Sequence, residues 1–160
     1  MYSDLRVGFG LDFHRYDPSG KPLKLGGILI KCPEKVSAHS DGDCLIHATI
    51  DALLGGAAKG DIGELFSDQD HSYENASSID LLKTVVNNEL IGYQIINLDV
   101  TIVAQYPKLS SYKGLIKQNM ESLLKVPVSV KATTTEKMGF IGSGQGIACF
   151  ATVLLIKNQR

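Results

Sequence analysis

Apolar and polar positions change period several times along the chain. Leu5 to His14 and Lys24 to Ile30 are strand-like runs, separated by a turn-prone stretch around Pro18 to Pro22. From Asp41 to Ala58 the spacing becomes helical, with Ile46, Ile50, Leu53, Leu54 and Ala57 on one stripe. Ser40 or Asp41 suits the start of that helix as a cap, and Gly55 to Gly60 weaken its end. A polar loop from Gly60 to Ala76 leads to a second helix over Ser77 to Leu90, with Ser77 and Asp80 spaced as a capping box. Ile96, Leu98, Val100 and Ile102 alternate with Asn97, Asp99 and Thr101, the pattern of a half-buried strand. Tyr112 to Lys125 carries Ile116, Met120, Leu123 and Leu124 at helical spacing. Val128 to Thr133 reads as a strand, Gly139 to Gly146 as a glycine-rich loop, and Ile147 to Ile156 as a last strand that is apolar on both faces.

The order β-β-α-α-β-α-β-β predicts one α/β (α+β) domain over residues 1–160, a mixed sheet with helices packed on one face. The second apolar face of the last strand then needs another cover. A neighbouring copy would supply it, so a homo-oligomer is expected. The 160 residues are 44% hydrophobic, with 16 basic and 17 acidic side chains. That balance gives no general electrostatic reason to bind nucleic acid or an anionic membrane, and the longest apolar run is too short to span a bilayer. The polar start from Met1 to Arg6 predicts no signal peptide. Cys32, Cys44 and Cys149 form no C-x-x-C pair, which fits a reducing compartment, and Cys149 in its apolar run reads as a buried thiol. A bacterial cytoplasm is the expected location, although a mature plastid stromal protein would look the same.

Three segments carry chemistry. On a strand, Asp12 and His14 point to the same side and can grip one ion, but D-x-H is a common tripeptide and also reads as a turn aspartate beside a surface histidine. His39-Ser40-Asp41-Gly42-Asp43 precedes His47 at the start of the first helix. Aspartates favour a helix N-terminus in any case, which accounts for Asp41 and Asp43 but not for the histidines. Asp43, His47 and Asp51 share a helix face, so either aspartate can orient His47 from behind. Asp12, His14 and His47 together make a donor set that suits zinc with one open position. In the third segment, Lys131 to Lys137, the run Thr133-Thr134-Thr135 ends a strand and Glu136 can hold a hard cation such as magnesium beside phosphates. Gly139 to Gly146 allows close backbone approach but is not a Walker loop. His71 reads as a solvated loop residue.

Taken together, Asp12-Phe13-His14, Ala38 to Asp43, Gly60-Asp61-Ile62-Gly63 and Val130 to Glu136 closely resemble the 2-C-methyl-D-erythritol 2,4-cyclodiphosphate synthase family, in the family's order and over nearly the whole chain. The resemblance implies a ferredoxin-like domain assembling as a homotrimer, with active sites between adjacent subunits. It implies zinc, or another divalent transition metal, on Asp12, His14 and His47, and magnesium or manganese held by Glu136 against the substrate diphosphate. The implied substrate is the cytidine diphosphate compound 4-diphosphocytidyl-2-C-methyl-D-erythritol 2-phosphate, and the reaction a metal-dependent cyclisation releasing CMP in non-mevalonate isoprenoid synthesis. His39 and Thr134 match the positions assigned to transition-state stabilisation. Asp61 and Gly63, with Phe66, Ser67, Asp68, Gln69 and Asp70, match the methylerythritol side, and Asp12, His14, His39, Ser40 and Ile62 match further substrate-binding positions. Ala104, Gln105, Tyr106, Pro107, Lys108, Leu109 and Ser110 match the cytidine pocket, Thr133, Thr134 and Glu136 match positions near the phosphates, and Thr135 and Phe140 match further substrate-binding positions. Ser143 and Gln145 depart from the basic residue and glutamate frequent in the family, which weakens the case for a prenyl diphosphate on the trimer axis. Two other functions use the same residues: a zinc phosphohydrolase that activates water, and a non-catalytic ligand-binding trimer.

Overall fold

The computed structural model describes residues 4–67, 69–73 and 75–158. Its main sheet has five strands in the order β4-β1-β7-β5-β6: β1 (Leu5–Pro22), β4 (Lys35–Val36), β5 (Tyr93–Val103), β6 (Val128–Thr133) and β7 (Gly146–Lys157). β1 pairs antiparallel with β4 and β7, and β7 antiparallel with β5, whereas β6 runs parallel to β5, which makes the sheet mixed. A two-residue ladder of β2 (Lys24–Leu25) and β3 (Ile28–Leu29) lies apart from it. Helices α1 (Cys44–Gly56), α3 (Ser78–Thr84) and α4 (Lys113–Leu124) pack their apolar sides into one core with the sheet, and short turns form α2 (Ile62–Leu65) and α5 (Gly139–Gly142).

Several expectations shift in detail. The anticipated turn near Pro18 does not end the first strand. β1 continues to Pro22 with an irregular bulge between Tyr16 and Lys21, closed by a Ser19 N–H bond to Asp17 Oδ1 at 2.9 Å. Lys24 to Ile30 is not one strand but the β2–β3 hairpin, which turns at Gly26-Gly27 with positive φ at both. The first helix starts at Cys44 because Asp43, not Ser40 or Asp41, caps it through the Ile46 N–H. The loop after Gly60 contains α2 and a 3-10 turn over His71–Tyr73. The second helix breaks into α3 and a π-helical turn over Val85–Glu89, and the Ser77 side chain makes no cap bond. In β5 a register shift between Ile95 and Asn97 buries Ile95 and turns Ile96 outward, against the simple alternation.

β1 decides where the chemistry falls. Its residues alternate between two faces. One carries Gly8, Gly10, Asp12 and His14, and the other carries Leu5, Val7, Phe9, Leu11 and Phe13. Gly8 and Gly10 leave room for α1 to lie directly on the strand. A Cβ on Gly10 would stand 2.1 Å from the Ala48 carbonyl oxygen, and one on Gly8 1.8 Å from that of Ala52. The N-terminal end of α1 thereby comes down over Asp12 and His14. The opposite row stays open to solvent, with Val7 70% and Phe9 58% exposed.

Candidate active site

His47 lies in the first turns of α1, so the close helix–strand contact places its ring against Asp12 and His14. Its Nδ1 is 3.2 Å from Asp12 Oδ2, and His14 Nδ1 is 3.6 Å from the same oxygen. The two rings meet edge to face with centroids 5.4 Å apart. Ligand atoms of the three residues lie within 4.8 Å of one another, the spacing of a shared ion. His14 Nδ1 contacts the Phe13 carbonyl at 2.8 Å, and its Nε2 is buried with no partner among the described residues. A buried imidazole nitrogen left without a bond is costly unless something outside the chain meets it. One carboxylate, two imidazoles and this orphaned nitrogen fit a divalent transition metal. Burial works against a charged His47 ring. The Asp12 hydrogen bond and the charges of Asp12, Asp43 and Asp41 outweigh it and hold the His47 pKa above the ordinary value.

The groups expected to orient His47 do something else. Asp43 is wholly buried and accepts from the backbone N–H groups of Gly26 (2.9 Å), Gly27 (2.6 Å) and Ile46 (3.0 Å), tying the β2–β3 turn to the start of α1. Asp51 accepts from Ile62 N at 2.8 Å and fixes α2. His47 Nε2 instead meets Ser78 Oγ at 2.9 Å and Ser40 Oγ at 3.1 Å. Nothing in the sequence pattern singled out Ser78, because a serine at the start of a helix reads as a cap.

These residues open on a cavity of about 450 Å³ lined by Asp12, His14, Ala38, His39, Ser40, His47, Ile62, Gly63 and Phe66, together with Ser37, Tyr73 and Leu81, which the sequence had not suggested. Phe66 is held by an edge-on contact with Tyr73, 5.2 Å between centroids. The His39–Ser40 segment is pinned from behind, because Lys21 Nζ donates to the carbonyls of both residues and Asn75 N donates to that of His39. Gly42 reverses the chain just after it at φ 77°, a conformation that favours glycine. His39 Nε2 is buried without a partner among the described residues, so it is available to a ligand. Asp61 caps α2 through Glu64 N (2.9 Å) instead of lining the cavity, and Ser67, Gln69 and Asp70 lie on the loop beyond Phe66. Asp68 lies outside the described residues. Behind the site, Cys44 Sγ bonds the Asp12 carbonyl at 3.1 Å, and burial raises the pKa of Cys44 and Cys149, as expected of packing thiols.

The other expected residues gather elsewhere. Ala104, Pro107, Lys108, Leu109 and Ser110 line a second cavity of about 160 Å³ with Thr133 and Thr134. Gln105 is buried and accepts from Lys137 N at 3.1 Å, joining this loop to the one after β6. The Tyr106 carbonyl accepts from Tyr16 Oη at 2.6 Å, and the Tyr106–Pro107 peptide is cis. Thr134 Oγ1 donates to Glu136 Oε1 at 3.2 Å, and Glu136 and Lys137 both hold positive φ, a costly backbone for residues with side chains. Thr135 Oγ1 bonds the Met138 carbonyl at 2.6 Å. Phe140 lines neither cavity and meets Phe13 in a tilted ring contact, 6.1 Å between centroids.

The YgbB family model matches residues 5–156. The chain belongs to the YgbB family. Among similar YgbB-type proteins, a 2-C-methyl-D-erythritol 2,4-cyclodiphosphate synthase of Edwardsiella ictaluri is 48% identical, the match covering 96% of this chain and 100% of the relative. The enzyme of that name from Buchnera aphidicola (strain 5A) is 44% identical, covering 98% and 99%. The bifunctional IspDF of Campylobacter jejuni superposes with a TM-score of 0.90 at 41% identity; the match covers 96% of this chain and 42% of that longer one. The IspF–CDP complex of Plasmodium falciparum gives a TM-score of 0.80 at 34% identity, covering 99% and 100%. The mixed α+β fold is thus that of the YgbB family.

Proposed function

We propose that this protein is an enzyme that converts 4-diphosphocytidyl-2-C-methyl-D-erythritol 2-phosphate to 2-C-methyl-D-erythritol 2,4-cyclodiphosphate with release of CMP, the reaction in the names of its relatives. The observation that carries this reading is the Asp12/His14/His47 cluster at the wall of a cavity large enough for a sugar phosphate. Zinc on these residues, with magnesium or manganese beside Glu136, would supply charge neutralisation at the phosphates. The chain's own part is to bind and orient. The 2-phosphate oxygen attacks the β-phosphorus, the bond from that phosphorus to the bridging oxygen breaks, and CMP leaves with that oxygen. Such a transfer needs positioning and charge stabilisation, not a protein nucleophile. His39 Nε2 faces the reacting groups from one side, and Thr134 supplies a hydroxyl from the other.

The metal cluster and the Lys108/Thr133/Thr134 cavity have separate linings within one chain. We infer that the complete site forms where the first cavity of one copy meets the second cavity of its neighbour in a homotrimer. The uncovered apolar face of β1 supports such an assembly. Bacterial relatives support a cytoplasmic setting.

Phosphorus NMR of the protein with that substrate, zinc and magnesium tests the reading. Two coupled cyclic diphosphate resonances with equimolar CMP are expected. CMP without a ring would make the protein a phosphohydrolase, and unchanged substrate with both metals bound would make it a binding protein.

A further inference from the structure

The metal cluster leaves one atomic choice unmade: which nitrogen of His47 is the ligand. The groups behind the ring settle it. Ser78, the first residue of α3, is wholly buried. Its hydroxyl donates to Asp41 Oδ1, and Asp41 Oδ2 pairs with Lys24 Nζ at 3.5 Å. A hydroxyl has one proton. With that proton given to a carboxylate, Ser78 Oγ can only accept from His47 Nε2, 2.9 Å away. Nε2 therefore carries hydrogen, and a neutral ring presents its Nδ1 lone pair on the side of Asp12 and His14. Ser40 Oγ shares the same N–H at 3.1 Å but belongs to the cavity wall, where a bound ligand competes for it. Ser78 has no such competitor.

We propose that Ser78, backed by Asp41 and Lys24, is a positioning residue of the metal centre, fixing the His47 tautomer and ring so that Nδ1 meets the ion. This rests on the divalent-metal reading of Asp12, His14 and His47. Through Ser78, α3 acts on a site whose ligands lie on β1 and α1. Partners of this kind hold a ligating imidazole in orientation and raise its basicity, and their loss typically costs about 10- to 100-fold in metal affinity.

The test uses full-length wild type, Ser78→Ala and Asp41→Ala, each stripped of metal and titrated with zinc against a chromophoric chelator. Ser78→Ala is expected to bind zinc about 10- to 100-fold more weakly with an unchanged far-ultraviolet spectrum. Asp41→Ala frees the Ser78 proton to point at His47, and a loss of about tenfold is expected. Nitrogen NMR of the zinc-loaded wild type should show His47 protonated at Nε2, a readout that a purely structural serine would not govern. Zinc affinity of Ser78→Ala within about twofold of wild type, or a proton found on Nδ1, overturns the proposal. Should Ser78→Ala not fold, the wild-type tautomer and the Asp41→Ala titration decide alone. A folded wild type that takes up no zinc removes the metal centre and this inference with it. Zinc uptake without cyclic product would overturn only the proposed reaction.

Discussion

Three backbone N–H groups converge on the Asp43 carboxylate, and no water reaches it. Burial raises its pKa while the N–H groups of Gly27, Ile46 and Gly26 pull it down. Asp43→Ala would strand all three donors, each costly when buried, so a loss of about 3 kcal/mol is expected in urea unfolding. A loss under about 1 kcal/mol would show that the β2–β3 turn satisfies itself another way. Asp51 behaves differently. Burial is the main influence, the negative charges of Asp61 and Asp12 add to it, and together they hold its pKa above the ordinary carboxylate value despite the Ile62 N–H bond. A raised folded pKa favours the protonated form, so its contribution to stability is present at low pH and is lost as pH rises through that pKa. Asp51→Asn keeps an acceptor for Ile62 without the charge. Its stability relative to wild type should therefore grow as pH climbs out of the carboxylate range, and equal slopes in pH-dependent melting would count against this. The two halves of the site should also separate. His47→Ala should lose bound metal on elemental analysis. Thr134→Ala should keep it and turn over more slowly, by about 3 kcal/mol of barrier in rate measurements.

At the scale of elements, the contact of α1 with β1 is the joint on which the site depends. Gly10→Ala would push a methyl into the Ala48 carbonyl and lift α1, with a cost of about 3 kcal/mol. Because α1 carries His47, metal affinity should fall along with the melting temperature; a variant that melts low yet binds metal normally would place the hinge elsewhere. Such joints divide what was legible in the sequence from what was not. β6 and the buried face of α4 follow directly from periodicity, whereas the metal-ligand set of Asp12, His14 and His47 comes from donor chemistry and the family resemblance, since nothing in their spacing brings His47 to β1. The start of α1 was not legible, because Ser40, Asp41 and Asp43 are all good caps. Only the Gly26 and Gly27 amides, distant in sequence, choose among them. The β5 bulge was hidden for a related reason. Ile95-Ile96 offers two phases of alternation, and pairing with β7 selects one. Ser78 escaped notice because its partners come from two other segments of the chain.

At the scale of the whole molecule, the open face of β1 and β7 needs an explanation that a single copy does not supply. Phe9, Phe13 and Phe150 form a chain of ring contacts at 6.1–6.3 Å, continued by Val7 and Leu11. Exposed apolar rows of this kind mark interaction surfaces, and further copies of the chain would cover this one. Sedimentation of the wild type is expected to show a trimer. Phe9→Glu should yield a folded monomer with its metal retained, and a wild-type monomer at micromolar concentration would remove the shared-site model. The two rows of β1 also constrain how this molecule can change through descent. A point substitution touches one row at a time. Adding or losing a single residue between Gly8 and His14 would exchange the rows at a stroke, turning the His14 imidazole onto the open apolar face and phenylalanine toward α1. That stretch should therefore tolerate substitution more readily than any change in length. Length variation among descendants belongs instead in the bulge between Tyr16 and Lys21, where the strand has already lost its register.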